Sequence, residues 1–436
     1  MKPSNNNTPP QGYKMTELGA LPEEWEVARL GDVAYFETGK RMKGGALERG
    51  EVLSLGGEHI GNFGELNLSQ PKYITKEFYD NLKKGKVNVG DVIICKDGAK
   101  TGKLAYIKKE FNYQIAINEH VFIIRSKNSQ FLHNHFIFFF LFSNFGQNQI
   151  REAFHGLIGG ITNSDIFNFL IPLPPLPEQQ KIAAVLSAVQ EAKEKTEAVI
   201  AAAKALKKSM MKHLFTYGPV SPEEVENIQL KETEIGPVPE DWEVVKLGEV
   251  AEISSGGTPS RKRNEYWIDG NIPWIKSEQC HDCYISVANE YITDLGLEDS
   301  SAKMLKKGTV LLAMVGATIG KTGFLTFEAC TNQNIAGIFP INSLNNLFLY
   351  YALQSRYNEF EKIKGYGIAN LSYLRQFNIP LPPLPIQQKI ASILSAIDAK
   401  IEAEENKKKA LEELFKSLLH NLMTANIRVN QLEITL

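Results

Sequence analysis

The stretch VGATIGKTG, residues 315–323, is the part of the chain that most suggests chemistry. A phosphate-binding loop needs Gly, four residues, then Gly-Lys-Ser/Thr, so that backbone amides cradle the phosphates. Here the position five before Gly320 is Val315, and starting instead from Gly316 leaves only three intervening residues. A related stretch, DGAKTGKLA at 97–105, has the same spacing and no hydroxyl after its lysine. A strand–turn–strand whose glycines permit tight backbone geometry accounts for both. Such a turn still presents Lys100, Lys103 and Lys321 to a phosphate backbone. Cys280-His281-Asp282-Cys283 has the look of a metal knuckle. A structural zinc site calls for a second ligand pair at similar spacing. Only Cys330 follows nearby, so an exposed loop with spare thiols is the expectation. The chain has no G-x-S-x-G elbow, no H-E-x-x-H and no Asn/Asp-Pro-Pro-aromatic methyltransferase motif. No catalytic residue and no metal site is assigned.

Basic loops interleaved with aromatics say more. SSGGTPSRKRNEYW, 254–267, brings together Arg261, Lys262, Arg263, Tyr266 and Trp267, and IPWIKSEQ, 272–279, adds Lys276. In the earlier stretch, TGKRMKGG at 38–45 offers Lys40, Arg41 and Lys43, and Lys96 precedes the 97–105 turn. Arg and Lys in Gly-rich loops suit phosphates and guanine edges, while Asn and Gln suit adenine. Asn332, Gln333 and Asn334 fit that last role. Each residue alone could be a solvated loop residue; the loops as a set point to a reading surface.

What must position these loops is a duplication. TELGALPEEWEVARLGDVA, 16–34, returns as TEIGPVPEDWEVVKLGEVA, 233–251, with twelve of nineteen positions identical. IPLPPLPEQQKIA, 171–183, returns as IPLPPLPIQQKIA, 379–391, with one mismatch. Only two copies exist, each far longer than a solenoid repeat, so a large unit has been doubled. Between the matched flanks the bodies diverge. Each holds strand-like runs, such as VIIC (92–95) and VLLAMV (310–315), with helical stretches at 131–153 and 344–363. The fold class is α+β. In PLPPLP each residue before a proline is pushed toward extended geometry. A helix follows from about Glu178 to Phe215, with an apolar stripe at 182, 185, 189, 192, 196, 199, 203, 206 and 210. A second runs from about Ile386 to Thr424, its stripe of Ile390, Ile393, Ile397, Ile401, Leu411, Leu414, Leu418 and Leu422 interrupted by charges at 404–409. Such helices need partners, and duplication offers each the other, as a pseudo-two-fold antiparallel coiled coil. Gln179, Gln180 and Lys181 recur as Gln387, Gln388 and Lys389, a pair of equivalent docking surfaces. The segments expected are a disordered tail (1–15), a first body (16–170), a first spacer helix (171–217), a second body (218–378), a second spacer helix (379–425) and a C-terminal tail (426–436).

Forty-eight Lys and Arg against 50 Asp and Glu exclude a uniformly basic coat. Residues 1–218 nevertheless carry a net +5 and residues 219–436 a net −7, so a polyanion must be met by local patches. Four cysteines are no disulfide scaffold. The longest apolar run, FIFFFLF at 136–142, is too short for a bilayer, and the N-terminus lacks a signal peptide's apolar run. A reducing, cytoplasmic setting and no membrane partner are expected.

The paired Pro-rich/QQKIA segments opening long helices, with the G-A-T-x-G-K and TNQNIAG segments, resemble the specificity subunit of type I restriction–modification systems over essentially residues 16–425. The resemblance implies a prokaryotic protein with two target recognition domains. Each would bind one half of a split, asymmetric site in double-stranded DNA. The helices would set the spacing and dock two methylation subunits, with restriction/translocase subunits completing the complex. S-adenosylmethionine, Mg2+ and ATP would then sit on those partners, and this chain would hold no cofactor.

Overall fold

The two matched flanks of each body are hydrogen-bonded to each other. Glu26–Arg29 pairs antiparallel with Leu170–Leu173, and Glu243–Lys246 pairs in the same way with Asn378–Leu381. The tryptophan beside each pair, Trp25 or Trp242, is buried. The recurrence of these flanks is therefore a packing requirement of each body. The computed structural model describes residues 9–155, 159–341, 343–363 and 368–429. The chain divides into two compact units, one of residues 1–196 with 407–436, the other of 197–406.

In the first unit Ala34–Thr38, Val121–Ser126, Val92–Cys95 and Leu104–Tyr106 lie in that order in an antiparallel sheet. A three-stranded sheet sets Val52–Leu55 between Tyr73–Ile74 and, in parallel, Ile115–Ile117. From Phe136 onward the helix Asn134–Phe142 is apolar on every side, as a helix enclosed by core must be. In the second unit Ala251–Ser255, Ile335–Pro340, Val310–Ala313 and Thr322–Leu325 repeat the first sheet, and Cys283–Ile285 adds a fifth, parallel strand. Ile272–Ile275 lies between Glu290–Ile292 and Cys330–Thr331. Asn346–Ser355 is the counterpart helix. The α+β reading of both bodies holds.

The long helices run Leu176–Tyr217 and Leu384–Met423. Each begins inside the Pro-rich segment, since proline suits a first helical turn where its missing N–H has no partner to lose. Residues 171–173 and 379–381 belong to strands rather than to the spacer helices. Within each unit the helix portions pair antiparallel. In the first, Lys193 lies 3.7 Å from Glu412, and Ile182 and Leu186 share a core with Phe415, Leu419 and Leu422. In the second, Lys204 meets Glu405 at 2.6 Å and Lys207 meets Asp398 at 2.7 Å. The charged gap at 404–409 is thus partly answered by Lys204, and Glu404 is itself buried with Lys400 at 2.7 Å.

Three sequence expectations need correction here. The apolar stripes hold only in part, with Ile182, Thr196, Ile390, Ile401 and Leu422 buried. Val199, Leu206 and Leu414 are exposed, whereas Ile200, Phe415 and Leu419 are buried. Hydrophobicity alone misplaced part of the face because it also covers Gln190, whose amide donates to the Phe63 carbonyl, and Lys193, stacked on the Phe63 ring. Residues 1–15 are not uniformly a disordered tail. Tyr13–Thr16 is a strand paired with Gly19–Pro22, and the Tyr13 hydroxyl donates to the Ala425 carbonyl at 2.7 Å; residues 1–8 lie outside the described residues. The cysteine loop is exposed only in part, with His281 exposed and Cys283 half-buried, while Cys280 packs fully buried beside Ile275 and Ile285. No helix among the described residues is long and apolar enough to cross a membrane.

Candidate nucleic-acid interface

Each unit brings three loops together at one corner. In the second unit the chain leaves Ala251–Ser255 and passes so close to the end of Cys330–Thr331 that a Cβ on Gly256 would collide with the Thr331 carbonyl oxygen. Trp274, in the middle strand, donates from Nε1 to the Gly257 carbonyl at 2.9 Å. Thr258 donates to Gln333 at 2.6 Å. These contacts tie the 256–267 loop to the 331–334 turn and to the Ile272–Ile275 strand. In the first unit a Cβ on Gly39 would meet the Ile117 carbonyl oxygen in the same way. There the loops 40–46, 54–58 and 118–120 enclose a cavity of about 370 Å³.

The second corner places cations on a rigid aromatic bed. The Arg261 guanidinium lies 3.5 Å from the Trp267 ring centroid and 5.0 Å from that of Trp274. The two indoles meet edge to face at 5.1 Å. Glu290 takes Arg261 at 2.5 Å and Lys276 at 2.6 Å. Burial opposes the Glu290 charge, but its bonds to Lys276 and Arg261 hold the carboxyl below the usual carboxylate range. Lys262 is exposed and forms no ion pair among the described residues. In the first corner Lys40 and Lys43 are exposed, Arg41 lies 3.6 Å from Glu119, and Lys72 meets Glu58 at 2.7 Å. His120 bonds Asp97 at 2.6 Å.

Among the residues assigned to the reading surface, Tyr266 and Asn332 are buried, and several others are engaged by the protein's own groups. Tyr266 is 3% exposed, its hydroxyl donating to Asp299. Arg263 is taken up by Glu265 at 2.7 Å, by Asp299 and by that same hydroxyl. Asn332 is buried and accepts from the Asn334 amide, so it shapes the turn from which Gln333 projects. Lys100 donates to the Glu58 and Ile60 carbonyls and Lys103 to Asn62, fastening a neighbouring loop. Lys321 is held by Asp282 at 2.7 Å. Lys96 lies 5.4 Å from the Phe122 ring centroid. The glycine-rich turns are strand–turn–strand as read. Gly102 and Gly320 have φ of 84° and 78°, and a Cβ there would strike Ile150 or Phe360.

The docking triplets also divide. Gln179 is fully buried. Its Oε1 accepts from the His133 amide at 2.9 Å, and its Nε2 donates to the Phe131 and Pro174 carbonyls at 3.0 and 2.8 Å. Gln387 repeats the arrangement with Asn345, Ser343 and Pro382. Neither can meet a partner, because both amides are spent on the protein's own backbone. Gln388 and Lys389 are exposed, and Gln180 and Lys181 half-exposed.

Sequence reasoning passed over Lys72, Asn118, His120 and Glu290. A signal existed for two of them: Asn118-Glu119-His120 occupies the turn that Asn332-Gln333-Asn334 occupies in the other copy. Among the described residues no group of three His, Cys, Asp or Glu could hold a metal. What the corners offer is guanidinium, ammonium and amide groups, in the second unit over aromatic faces. That is equipment for phosphates and base edges rather than for bond making.

Residues 22–204 and 239–413 each match the family described as type I restriction modification DNA specificity domain. The MjaVIII type I restriction enzyme specificity subunit of Methanocaldococcus jannaschii is 30% identical over 94% of this chain and 95% of its own. The putative MjaX specificity subunit of the same organism is 26% identical over 96% and 97%. The crystal structure of a type I restriction–modification S subunit from M. genitalium shares the fold, with a TM-score of 0.64 over 91% of this chain and 96% of that one, at 16% identity.

Proposed function

Because the chain belongs to the type I restriction–modification DNA specificity family, with one specificity domain in each half, we propose that each unit reads one half of a bipartite, asymmetric site in double-stranded DNA through its three-loop corner. The observation that carries this is the recurrence of one corner with different side chains. Arg261, Lys262, Lys276 and Gln333 occupy it in one unit, and Lys40, Arg41, Lys43 and His120 in the other. A shared scaffold with divergent loops is what two different half-sites require. The acidic second half is compatible with this role, since Glu290 aligns Arg261 and Lys276 and leaves Lys262 unpaired.

Specificity subunits work within complexes. Here the long helices would set the spacing of the half-sites and dock two methylation subunits beside Gln180, Lys181, Gln388 and Lys389. The methylation subunits would carry S-adenosylmethionine, and Mg2+ and ATP would likewise sit on partner subunits, with cleavage left to the ATP-dependent restriction/translocase subunits. This chain would do no chemistry of its own. The test is to exchange residues 16–170 for the equivalent part of a relative and map methylated bases with the partner subunits present. One half of the methylated sequence should change. A change in both halves, or in neither, would refute the assignment.

A further inference from the structure

The second unit contains a cavity of about 800 Å³ whose rim and walls carry Lys204, Lys207, Lys208, Lys212, Lys321 and Arg356. Asp282 is the one carboxylate among its described lining residues. Allowing also for Asp398 and Glu405, which take Lys207 and Lys204, the site keeps an excess of three positive charges. That excess lies in the half of the chain that is acidic overall.

The duplication shows that the fold does not require it. The hydrogen bonds of Gln179 and Gln387 align residue 133 with 345, so Phe142 corresponds to Gln354 and Phe139 to Tyr351. The matched helix starts align Phe415 with Lys207 and His420 with Lys212. In the first unit Phe415 packs against Phe139 and Phe142, ring centroids 6.2 and 6.0 Å apart. In the second, Lys207 reaches Gln354 at 3.3 Å and Asp398 at 2.7 Å, and Tyr351 donates to the same Asp398. Gln354 continues to Thr322, and Thr322 to Asp282, which holds Lys321. An aromatic plug in one copy is a polar, hydrogen-bonded floor in the other. Above that floor Lys208 and Lys212 are exposed and make no ion pair among the described residues. Arg356 donates from one terminal nitrogen to the Ile235 carbonyl at 3.0 Å, but its buried Nε has no hydrogen-bond partner among the described residues, and burial pulls its guanidinium below its usual range. Cations gathered around a cavity of this size, without matching anions, are stabilised by an anionic ligand.

We propose that this cavity binds a compact polyanion carrying two or more phosphate groups, held by side-chain cations rather than by a glycine-rich loop. Lys208, Lys212 and Arg356 would contact the phosphates, with Lys207 and Lys321 fixed behind them by Asp398 and Asp282. The ligand so proposed is a free small molecule, and the experiment separates it from a DNA backbone lying across the exposed rim.

The experiment is calorimetry of inorganic pyrophosphate binding to the full chain at low salt. One site per chain is expected. Replacing Lys208→Ala and Lys212→Ala together should weaken binding about tenfold or more. Both side chains are exposed, so melting should be unchanged. Lys207→Phe with Gln354→Phe and Asp398→Gln, which imports the first unit's plug together with its Gln190 and leaves no carboxylate unpaired, should abolish binding while the chain still melts cooperatively. Absence of a pyrophosphate isotherm would overturn the proposal, as would an isotherm indifferent to the Lys208/Lys212 change. Loss of DNA affinity in that double variant, with no pyrophosphate isotherm in the parent, would reassign the cavity to the DNA backbone and equally overturn it.

Discussion

Replacing Gln179 by alanine should unfasten the first unit rather than release a partner. The Gln179 side chain is fully buried and closes three hydrogen bonds, from the His133 amide and to the Phe131 and Pro174 carbonyls. Each bond contributes about 1 kcal/mol net, and a buried group left unsatisfied costs about as much again. A loss of about 3 kcal/mol is expected, less if water enters the vacated space. For a unit of some 200 residues that lowers Tm by about 6–12 °C. Gln387→Ala should do the same to the second unit through Asn345, Ser343 and Pro382. Gln180→Ala, at a half-exposed position, should change stability by less than about 0.5 kcal/mol. Thermal melts read the size of the effect, and residue-resolved hydrogen exchange reads its place. The His133 amide should lose protection in Gln179→Ala, and the Asn345 amide in Gln387→Ala. Should Gln179→Ala melt with the parent while losing a methylation subunit, the fastening argument is wrong and Gln179 is a docking residue after all.

Three further outcomes are expected. His135 is stacked on Tyr106 at 3.8 Å, and burial, with smaller contributions from His133 and Lys108, pushes it down to about 3. The unfolded chain therefore binds the proton first, so stability present above about pH 6.5 falls as pH drops toward 3, by up to about 2 kcal/mol at pH 5. His135→Phe should flatten that part of the urea-midpoint profile, and an unchanged slope would remove His135 as its cause. Arg261→Ala and Lys262→Ala should each lower the salt slope of DNA binding by the assembled complex by about one, whereas Arg263→Ala should leave it unchanged; equal effects from all three would erase the distinction drawn at that loop. Inserting four residues in the stretch Ala201-Ala202-Ala203, exposed at its first two positions, lengthens the helix by roughly 6 Å. It should widen the methylated spacer by one or two base pairs without altering either half-site, and a fully active enzyme with its old spacer would refute the ruler.

The duplication, the α+β bodies and the long helices were legible because periodicity and proline grammar are local. The pairing of the Trp25 flank with the Pro-rich flank was also written there, as two segments repeated together, but its meaning needed the strand register. Which polar residue faces inward was not legible. Gln179 and Gln180 are adjacent and chemically identical, and one helical step turns the first to the core and leaves the second half-exposed. Arg261 and Arg263 likewise differ in which carboxylate lies within reach: Glu290 comes from another strand, whereas Glu265 is two residues away. Composition fixes the supply of charge; tertiary contacts decide where it is spent. Tyr266 misled for the same reason, since a tyrosine beside arginines suits a reading surface and an internal lock equally well.

The single mismatch in the repeated Pro-rich segment shows how the two copies were free to diverge. Glu178 accepts from Trp25 Nε1 at 3.0 Å and from Arg428 at 2.7 Å, and Arg428 also meets Glu24. The helix alignment takes Glu178 to Ile386, so the charged acceptor of one copy is replaced by an apolar residue in the other. Changing one partner alone would leave a buried charge uncompensated, at a cost of about 3–5 kcal/mol. The aromatic Phe142–Phe415 contact and its Gln354–Lys207 counterpart obey the same constraint. In the packed parts the copies therefore differ by matched sets. The corner loops are under no such constraint. Lys43 and Lys262 face water, and replacing either leaves no orphaned group behind. The surface proposed to read DNA can thus change one residue at a time while the body beneath it stays folded, a route by which two copies of one scaffold would come to carry two different specificities.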